Sequence, residues 1–213
     1  MLNDAITIKE HHVQAAELAF KDITENLNKK KYVIAIAGEV SSGKTTLAYL
    51  LGRMFKIKGI RSKNIDLVDF YEVPPLERRA WREKHGIDEV GVDEYDWDKI
   101  EASIQHFLKN EKATMPQVDL HTDYVDELTT DFKDVEVLII SGLYAFYCKH
   151  IDYKIFMELT YRETYESQKY TGKEVMDSFR NKILEKEHKA VQTQRHKANY
   201  YIDFNTFLNR YHL

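Results

Sequence analysis

Residues 32–45 read Tyr-Val-Ile-Ala-Ile-Ala-Gly-Glu-Val-Ser-Ser-Gly-Lys-Thr, and this stretch decides the fold. Tyr32 to Ala37 is a short apolar run, which is typical of a buried strand. Gly38 to Thr45 follows at once and matches the pattern G-x-x-x-x-G-K-[ST] of a phosphate-binding P-loop. A chance match is expected on the order of once per hundred chains of this length, from ordinary residue frequencies. The sequence therefore predicts a strand, a glycine-rich turn and a helix in the order that a P-loop requires.

The chemistry of such a loop follows from its backbone. Glycines let backbone N–H groups converge on phosphate oxygens, and the helix N-terminus adds positive potential. Lys44 is expected to reach the β- and γ-phosphates, the Thr45 hydroxyl to bind Mg²⁺, and Thr46 to position the nucleotide. ATP and Mg²⁺ are thus the predicted ligands, and a turn without a ligand is the alternative. The predicted nucleotide-binding residues of the loop are Gly38, Glu39, Val40, Ser41, Ser42, Gly43, Lys44, Thr45 and Thr46.

Further short apolar runs alternate with helical stretches along the chain. An amphipathic helix is predicted from about Val13 to Leu27, and another from about Gly43 to Gly59. The alternation implies right-handed βαβ crossovers and a parallel sheet with both faces covered, whose ligands lie at the carboxyl ends of the strands. We therefore expect one α/β domain over residues 1–213. Its further strands are predicted at Asn64 to Val68, Val135 to Ile140, Tyr153 to Glu158 and Tyr200 to Phe204.

Composition narrows the class of protein. The chain has 213 residues, 43% of them hydrophobic and 31% charged, with a formal charge of −4. Acidic and basic residues are mixed along the length, so we expect no nucleic-acid partner. No signal pattern or membrane-spanning stretch occurs, which favours a soluble, cytoplasmic protein without a membrane partner.

Cys148 follows an apolar run and is interpreted as a buried hydrophobic residue, with a reactive thiol as the alternative. The oligomeric state stays open, and a homo-oligomer is one alternative.

A GTP-binding switch protein is excluded by the motifs. Residues 88–91 have the spacing D-x-x-G, but they follow a charged segment and not a buried strand. The guanine-specific motif N-K-x-D does not occur anywhere in the sequence.

Residues 72–130 interrupt the alternation of strands and helices. A polar helix is predicted from about Leu76 to His85, and a second helix has Ile100, Ile104, Phe107 and Leu108 on one face. We interpret the region as a helical insertion beside the sheet that shapes a ligand pocket.

Three segments together resemble the uridine kinase and phosphoribulokinase family of P-loop kinases. They are Ala35 to Thr46, Asp69-Phe70-Tyr71, and Ile140-Ser141-Gly142-Leu143. The resemblance runs from about Lys31 to Asp203, and only the P-loop is specific by itself. It implies a P-loop NTPase three-layer sandwich of the nucleoside monophosphate kinase type with a lid. It also implies ATP as phosphoryl donor and a small hydroxyl-bearing acceptor such as a nucleoside, pantothenate or a sugar phosphate.

The resemblance also assigns the acids of the site. The family's second strand ends in D-x-[FY]-Y, whose acid acts as base and metal partner. The direct register puts Val68 at that acid and Asp69 one step later, so Asp69 is the predicted catalytic residue, and Asp66 is the alternative. Where the family has an acid before a glycine after its third strand, this chain has Ser141, which completes the predicted metal set of Thr45, Asp69 and Ser141.

The acceptor and lid residues are likewise implied by the resemblance. Tyr71, Asp119 and His121 are predicted acceptor contacts. A turn position explains Asp119 equally well, and a surface position is the favoured explanation of His121. Tyr95 and Trp97 would stack on a base or pack the insertion onto the sheet. The lid corresponds to about residues 162–190, with Arg162 and Lys173 covering the phosphates. A basic cluster in the insertion would hold an acceptor phosphate or form a solvated helix face: Arg78, Arg79, Arg82 and Lys84.

The predicted function is a small-molecule kinase in which Lys44 and Mg²⁺ neutralise the transferring phosphoryl group and Asp69 activates the acceptor hydroxyl. Uridine or cytidine is the first acceptor predicted, by analogy with the family. One alternative is a kinase of pantothenate, glycerate or a sugar phosphate. Another is an ATP-binding regulatory protein with weak or no catalysis, which Val68 and Ser141 in place of acids suggest.

Overall fold

The computed structural model describes residues 6–119, 122, 124–171 and 174–204. That part of the chain contains seven strands and six α-helices, joined by loops and short 3₁₀ turns. The strands are β1 (Tyr32–Gly38), β2 (Ser62–Asp66), β3 (Lys112–Val118), β4 (Val125–Asp131), β5 (Val137–Gly142), β6 (Tyr153–Met157) and β7 (Tyr200–Ile202). The helices are α1 (Glu10–Asn26), α2 (Lys44–Ile57), α3 (Pro75–His85), α4 (Trp97–Leu108), α5 (Tyr165–Thr171) and α6 (Ser178–Gln192).

The main sheet has five parallel strands in the order β2-β5-β1-β6-β7. Every residue of β1 and β5 is buried, because helices cover both faces of the sheet. Ile34 and Ile36 pack towards α1 and α2, while Val33 and Ala35 pack towards α4 and α6. The predicted three-layer α/β sandwich with a central parallel sheet is therefore confirmed.

The insertion is only partly helical, so the prediction of a helical insertion was incomplete. Helices α3 and α4 lie close to the predicted positions, but β3 and β4 form an antiparallel hairpin that the sequence analysis did not predict. Six of the seven residues of β4 are exposed, so this strand lacks the apolar alternation by which a strand is recognised. Asp119, one of the predicted acceptor contacts, directly follows β3 in this hairpin.

Several boundaries differ from the predicted ones in ways that matter for the site. Strand β2 ends at Asp66, and not at Val68, because the Asp66 carboxylate accepts a hydrogen bond of 3.2 Å from the Val68 N–H and starts a 3₁₀ turn over Leu67–Phe70. Strand β5 extends to Gly142, so Ser141 lies within it.

Helix α6 belongs to the body of the domain. Its residues Ile183, Leu184 and Val191 are buried, so only the first part of the predicted lid span remains a candidate for a mobile cover. Cys148 is buried as predicted, and burial raises the pKa of its thiol to about 12. Among the described residues, no helix combines the length and the apolar character needed to cross a bilayer.

Candidate active site

The phosphate-binding loop lies between the carboxyl end of β1 and the first turn of α2. Gly43 has a φ of +93°, and a Cβ there would lie 2.5 Å from the Phe204 ring. At Gly38 a Cβ would lie 2.7 Å from the Met157 Cβ. Both positions thus require glycine, which leaves the backbone free to curve around a ligand. This cradle and the N-terminus of α2 fit a phosphate group.

Lys44 lies at the start of α2 and folds back onto the loop. Its Nζ donates a hydrogen bond of 2.5 Å to the Glu39 carbonyl oxygen. Burial lowers the pKa of Lys44 to about 8, against the opposing effect of Asp66, Glu187 and Glu39. Most Lys44 side chains therefore still carry the positive charge at pH 7, and a bound phosphate would favour that charge further.

Asp66 contacts the first turn of α2. The Thr45 hydroxyl donates a hydrogen bond of 3.3 Å to the Asp66 Oδ2. In the parallel register Asp66 pairs with Ser141, which is buried at the carboxyl end of β5. Oxygen ligands of this kind suit Mg²⁺, so Thr45 and Asp66 are the residues that could hold the ion, with Ser141 beside them. The described residues include no cluster of three or more His, Cys, Asp or Glu side chains spaced for a metal.

Asp69 lies farther along the 3₁₀ turn and faces the hairpin. Its Oδ1 accepts a hydrogen bond of 3.0 Å from the Val118 N–H of β3. Burial raises the pKa of this carboxyl group from 3.8 to about 6. A carboxyl group with such a pKa can both accept and release a proton near neutral pH, as a general base must. The structure thus gives different surroundings to the two acids that the sequence analysis weighed against each other.

An open cleft with a volume of about 390 Å³ lies between the 3₁₀ turn, the starts of α3 and α4, and the hairpin. Asp69, Tyr71, Glu72, Asp96 and Lys99 contribute to its lining. The cleft carries three carboxylates and one ammonium group among these residues. Asp69, the predicted catalytic residue, therefore borders an open cleft in which acidic side chains predominate.

The predicted acceptor residues take different positions around this cleft. Tyr71 lines it, with the Arg78 guanidinium 3.6 Å from the ring centroid. Tyr95 is only 2% exposed and packs against Tyr71 with a centroid distance of 4.1 Å. The Trp97 Nε1 donates to the Val92 carbonyl at 2.7 Å. Tyr95 also contacts Tyr144, and Trp97 contacts Tyr147, with centroid distances of 5.7 and 6.2 Å. The aromatic pair therefore packs the insertion onto the body, which was its second interpretation.

The remaining predicted residues lie at the edges of the site or beyond the described residues. Asp119 is partly buried at the hairpin turn, where its N–H donates to the Tyr124 carbonyl at 3.0 Å. Arg162 is exposed, and its Nε donates to the Tyr161 hydroxyl at 3.2 Å. His121 and Lys173 lie outside the described residues.

A buried ionic cluster joins the insertion to α6, and the sequence analysis missed it. Arg82 makes two hydrogen bonds to Glu94, of 2.6 and 2.9 Å, and its Nη2 lies 3.5 Å from the Glu187 Oε1. Arg180 approaches the other oxygen of Glu187 at 3.9 Å. Arg82 is thus neither part of a solvated face nor available for a phosphate. One feature of the sequence could have revealed this cluster. Glu187 is an acid on the apolar face of a helix, four residues from Ile183 and from Val191, where a charge needs a buried partner.

The parallel sheet, the glycine loop after β1 and the helices on both faces define a P-loop protein of the nucleoside monophosphate kinase-like type. The sequence model of the Phosphoribulokinase / Uridine kinase family matches residues 33–162. The chain belongs to this family.

Individual relatives are more distant. The chain is 28% identical over 134 residues to a uridine kinase of Ureaplasma parvum, an alignment that covers 61% of this chain and 63% of the relative. It is 32% identical over 126 residues to a pantothenate kinase of Shewanella woodyi, with 54% of this chain and 37% of the relative covered. The chain thus spans less than two thirds of the length of these curated relatives.

Solved structures support the fold. The structure of a possible uridine kinase from Bacillus stearothermophilus superposes with a TM-score of 0.61 at 19% identity, covering 89% of this chain and 98% of the other. At this identity the likeness concerns the fold alone.

Proposed function

We propose that the chain transfers the γ-phosphoryl group of ATP, in complex with Mg²⁺, to a hydroxyl group of a small metabolite. A nucleoside such as uridine or cytidine is the acceptor that we propose first. The observation that carries the proposal is the meeting of Lys44, Thr45 and Asp66 at the mouth of the loop, with the Thr45 hydroxyl 3.3 Å from the Asp66 carboxylate. Such a grouping of one cation and two oxygen ligands beside a glycine-rich loop supports the binding of a nucleotide with Mg²⁺.

The residues of the site would have two roles, one group binding the phosphates and Mg²⁺ and the other binding and activating the acceptor. Backbone N–H groups of the loop and Lys44 would bind the phosphates and offset the charge that develops in transfer. Thr45 and Asp66 would hold Mg²⁺, which when bound neutralises phosphate charge. Asp69, whose pKa burial raises to about 6, would accept the proton of the acceptor hydroxyl at a carboxylate oxygen. Tyr71 would contact the acceptor, and Arg162 and Lys173 would cover the phosphates.

The charge of the cleft favours a neutral acceptor. Asp69, Glu72 and Asp96 outnumber Lys99 in the lining named above. At pH 7 most Asp69 side chains are ionised, since that pH lies above their pKa of about 6. An acceptor that carries a carboxylate or phosphate would be repelled there, whereas a nucleoside would not.

Two further candidates each have an observation in their favour. Pantothenate kinases are among the relatives, so pantothenate is a second acceptor to test. A nucleotide-binding protein without efficient catalysis is the third candidate. Ser141 at the carboxyl end of β5 supports it, because serine supplies no charge to a metal site.

A coupled assay of ADP release would test the proposal. The panel contains uridine, cytidine, pantothenate, glycerate and a sugar phosphate, each with and without Mg²⁺, and Lys44→Ala serves as the blank. We expect release that requires both Mg²⁺ and a nucleoside. Preference for pantothenate would select the second candidate, and nucleotide binding without turnover of any acceptor would select the third.

A further inference from the structure

The side chain of Glu39 has a position that its place in the P-loop motif does not explain. Glu39 is the second residue of the motif and is 2% exposed. Its carbonyl oxygen accepts the hydrogen bond from Lys44, but its carboxylate faces other elements of the fold. Oε1 lies 2.7 Å from the His188 Nδ1 and accepts a hydrogen bond of 2.6 Å from the Gln192 Nε2. One carboxylate oxygen thus joins the loop to two residues of α6.

The second oxygen joins the loop to the segment that follows β6. The Tyr161 N–H donates a hydrogen bond of 2.7 Å to the Glu39 Oε2. A parallel contact lies beside it, since the Thr164 hydroxyl donates to the Val40 carbonyl at 3.1 Å. Gln168 of α5 holds this segment together, with its Nε2 3.1 Å from the Tyr161 carbonyl oxygen and 3.0 Å from the Thr164 Oγ1. Residues 161–168 therefore rest directly on the phosphate-binding loop.

The loop needs such support for a physical reason. Ser41 has a φ of +56°, in the left-handed region that a serine seldom adopts. Such a conformation costs about 1–3 kcal/mol and persists only where the surroundings determine it. Burying a carboxylate is also unfavourable unless its oxygens are hydrogen-bonded. Both carboxylate oxygens of Glu39 have hydrogen-bond partners in α6 and in the segment after β6. These contacts satisfy the buried carboxylate, and they also fix the loop next to the left-handed Ser41.

We propose that Glu39 is a positioning residue that couples the phosphate-binding loop to residues 161–168, so that a nucleotide on the loop orders this segment through the Glu39 carboxylate. The inference rests on the proposed function, since it needs ATP on the loop. The Glu39 carboxylate faces α6 and the segment after β6, so its effect on a bound nucleotide would pass through the loop backbone. Its loss changes how the segment responds to the nucleotide, and through the loop it changes the rate of transfer.

The decisive experiment is peptide-resolved hydrogen exchange with Mg²⁺ and an ATP analogue whose γ-phosphate cannot be transferred. In the wild type we expect slower exchange in two regions, the loop (38–46) and the segment 160–171. Glu39→Gln keeps the size of the side chain but places an amide where carboxylate oxygens accept three hydrogen bonds. At saturating analogue this variant should keep the protection of the loop and lose that of the segment.

A matched control and a second variant separate coupling from general destabilisation. Glu185→Gln removes an exposed carboxylate from the same helix, α6, and should behave as the wild type. Gln192→Ala cuts the contact from the α6 side and should weaken the segment's protection even if Glu39→Gln does not fold. In folded Glu39→Gln we expect kcat to fall by about 10–100-fold with little change in acceptor KM, the cost of a slightly misplaced reacting group.

Equal protection of the segment in Glu39→Gln, Gln192→Ala and wild type would overturn the inference while leaving the proposed function intact. Absence of any protection of the loop by the analogue in the wild type would instead overturn the proposed function, and the coupling with it. A lower melting temperature of Glu39→Gln with unchanged kcat and unchanged protection would show a purely structural role and would also overturn the inference.

Discussion

The two sides of the candidate site are built in different ways. The phosphate-binding side is one continuous stretch, Gly38 to Thr46, held between β1 and α2. The acceptor side is assembled from separate segments, namely the 3₁₀ turn after β2, the starts of α3 and α4, and the hairpin. A local motif fixes the chemistry of the first side, whereas the second depends on contacts between residues far apart in sequence. Variants on the two sides should therefore differ in the size and the kind of their effects.

The largest effect is expected from Lys44→Ala on the phosphate-binding side. Loss of this charge should lower phosphoryl transfer by about 10³–10⁵-fold, the range seen for a cation that stabilises the transferring phosphoryl group. The fold should remain, because burial disfavours the charge of Lys44, as its lowered pKa shows, so its removal takes no net stabilising charge from the fold. Coupled ADP release measures the rate, and circular dichroism checks the fold. Unchanged turnover in a folded variant would mean that the loop does not serve catalysis.

The difference between a local motif and contacts that join distant residues also explains how much of the structure the sequence could predict. The sheet, its flanking helices and the loop follow from apolar periodicity and one motif, which act over a few neighbouring residues. The end of β2 could not be predicted in this way. It depends on the Asp66 carboxylate capping the next turn and on Leu67 lying against Gly142, where a Cβ would be only 2.6 Å away.

The acceptor side escaped prediction for similar reasons. Strand β4 is exposed and carries no alternation, so only its pairing with β3 reveals it. The burial of Arg82 depends on Glu94 and Glu187, which lie 12 and 105 residues away. His121 and Lys173 lie outside the described residues and stay predictions from the sequence.

The second effect in size concerns the acid on the acceptor side. If Asp69 is the base, Asp69→Asn should lower kcat by about 10²–10⁴-fold and leave ATP affinity within a few-fold. Asp66→Asn should instead weaken the response to Mg²⁺. Single-turnover transfer at varied Mg²⁺ separates the two variants, and equal behaviour would contradict the division of roles.

The pKa of Asp69 gives this prediction a pH dependence. Because burial raises this pKa to about 6, the wild-type rate should fall about tenfold per pH unit below 6. The carboxyl group binds its proton more tightly in the folded than in the unfolded state. Its stabilising contribution is therefore present at low pH and is lost as the pH rises through about 6. Asp69→Asn should consequently keep or raise the melting temperature at pH 7.5.

A third effect should appear in stability and not in chemistry. Arg82→Ala leaves Glu94 buried without its cation and Glu187 with Arg180 alone, 3.9 Å away, which should cost about 3–5 kcal/mol of unfolding free energy. Arg79→Ala on the same helix is the control, since Arg79 pairs with Glu83 and Asp177 at the surface, where a pair contributes at most about 1 kcal/mol. Denaturant unfolding measures both. Equal losses would show that the buried cluster does not hold the insertion to α6.

The smallest effect should distinguish the residues that border the cleft from those that merely support it. Tyr71 lines the cleft, and Asp119 lies at the hairpin turn. Alanine at either position should raise the acceptor KM about 3–10-fold, which is equivalent to about 1 kcal/mol of lost contact. The KM for ATP should stay unchanged. Tyr49→Ala is the matched control, because Tyr49 is 40% exposed on α2, on the phosphate-binding side. Tyr95→Phe keeps the buried ring and should leave acceptor KM as in the wild type, since Tyr95 packs the insertion onto the body. Steady-state kinetics with each substrate varied in turn measures both KM values for every variant. A larger rise in acceptor KM for Tyr95→Phe than for Tyr71→Ala would indicate that the acceptor binds at the aromatic cluster behind the cleft and not in the cleft.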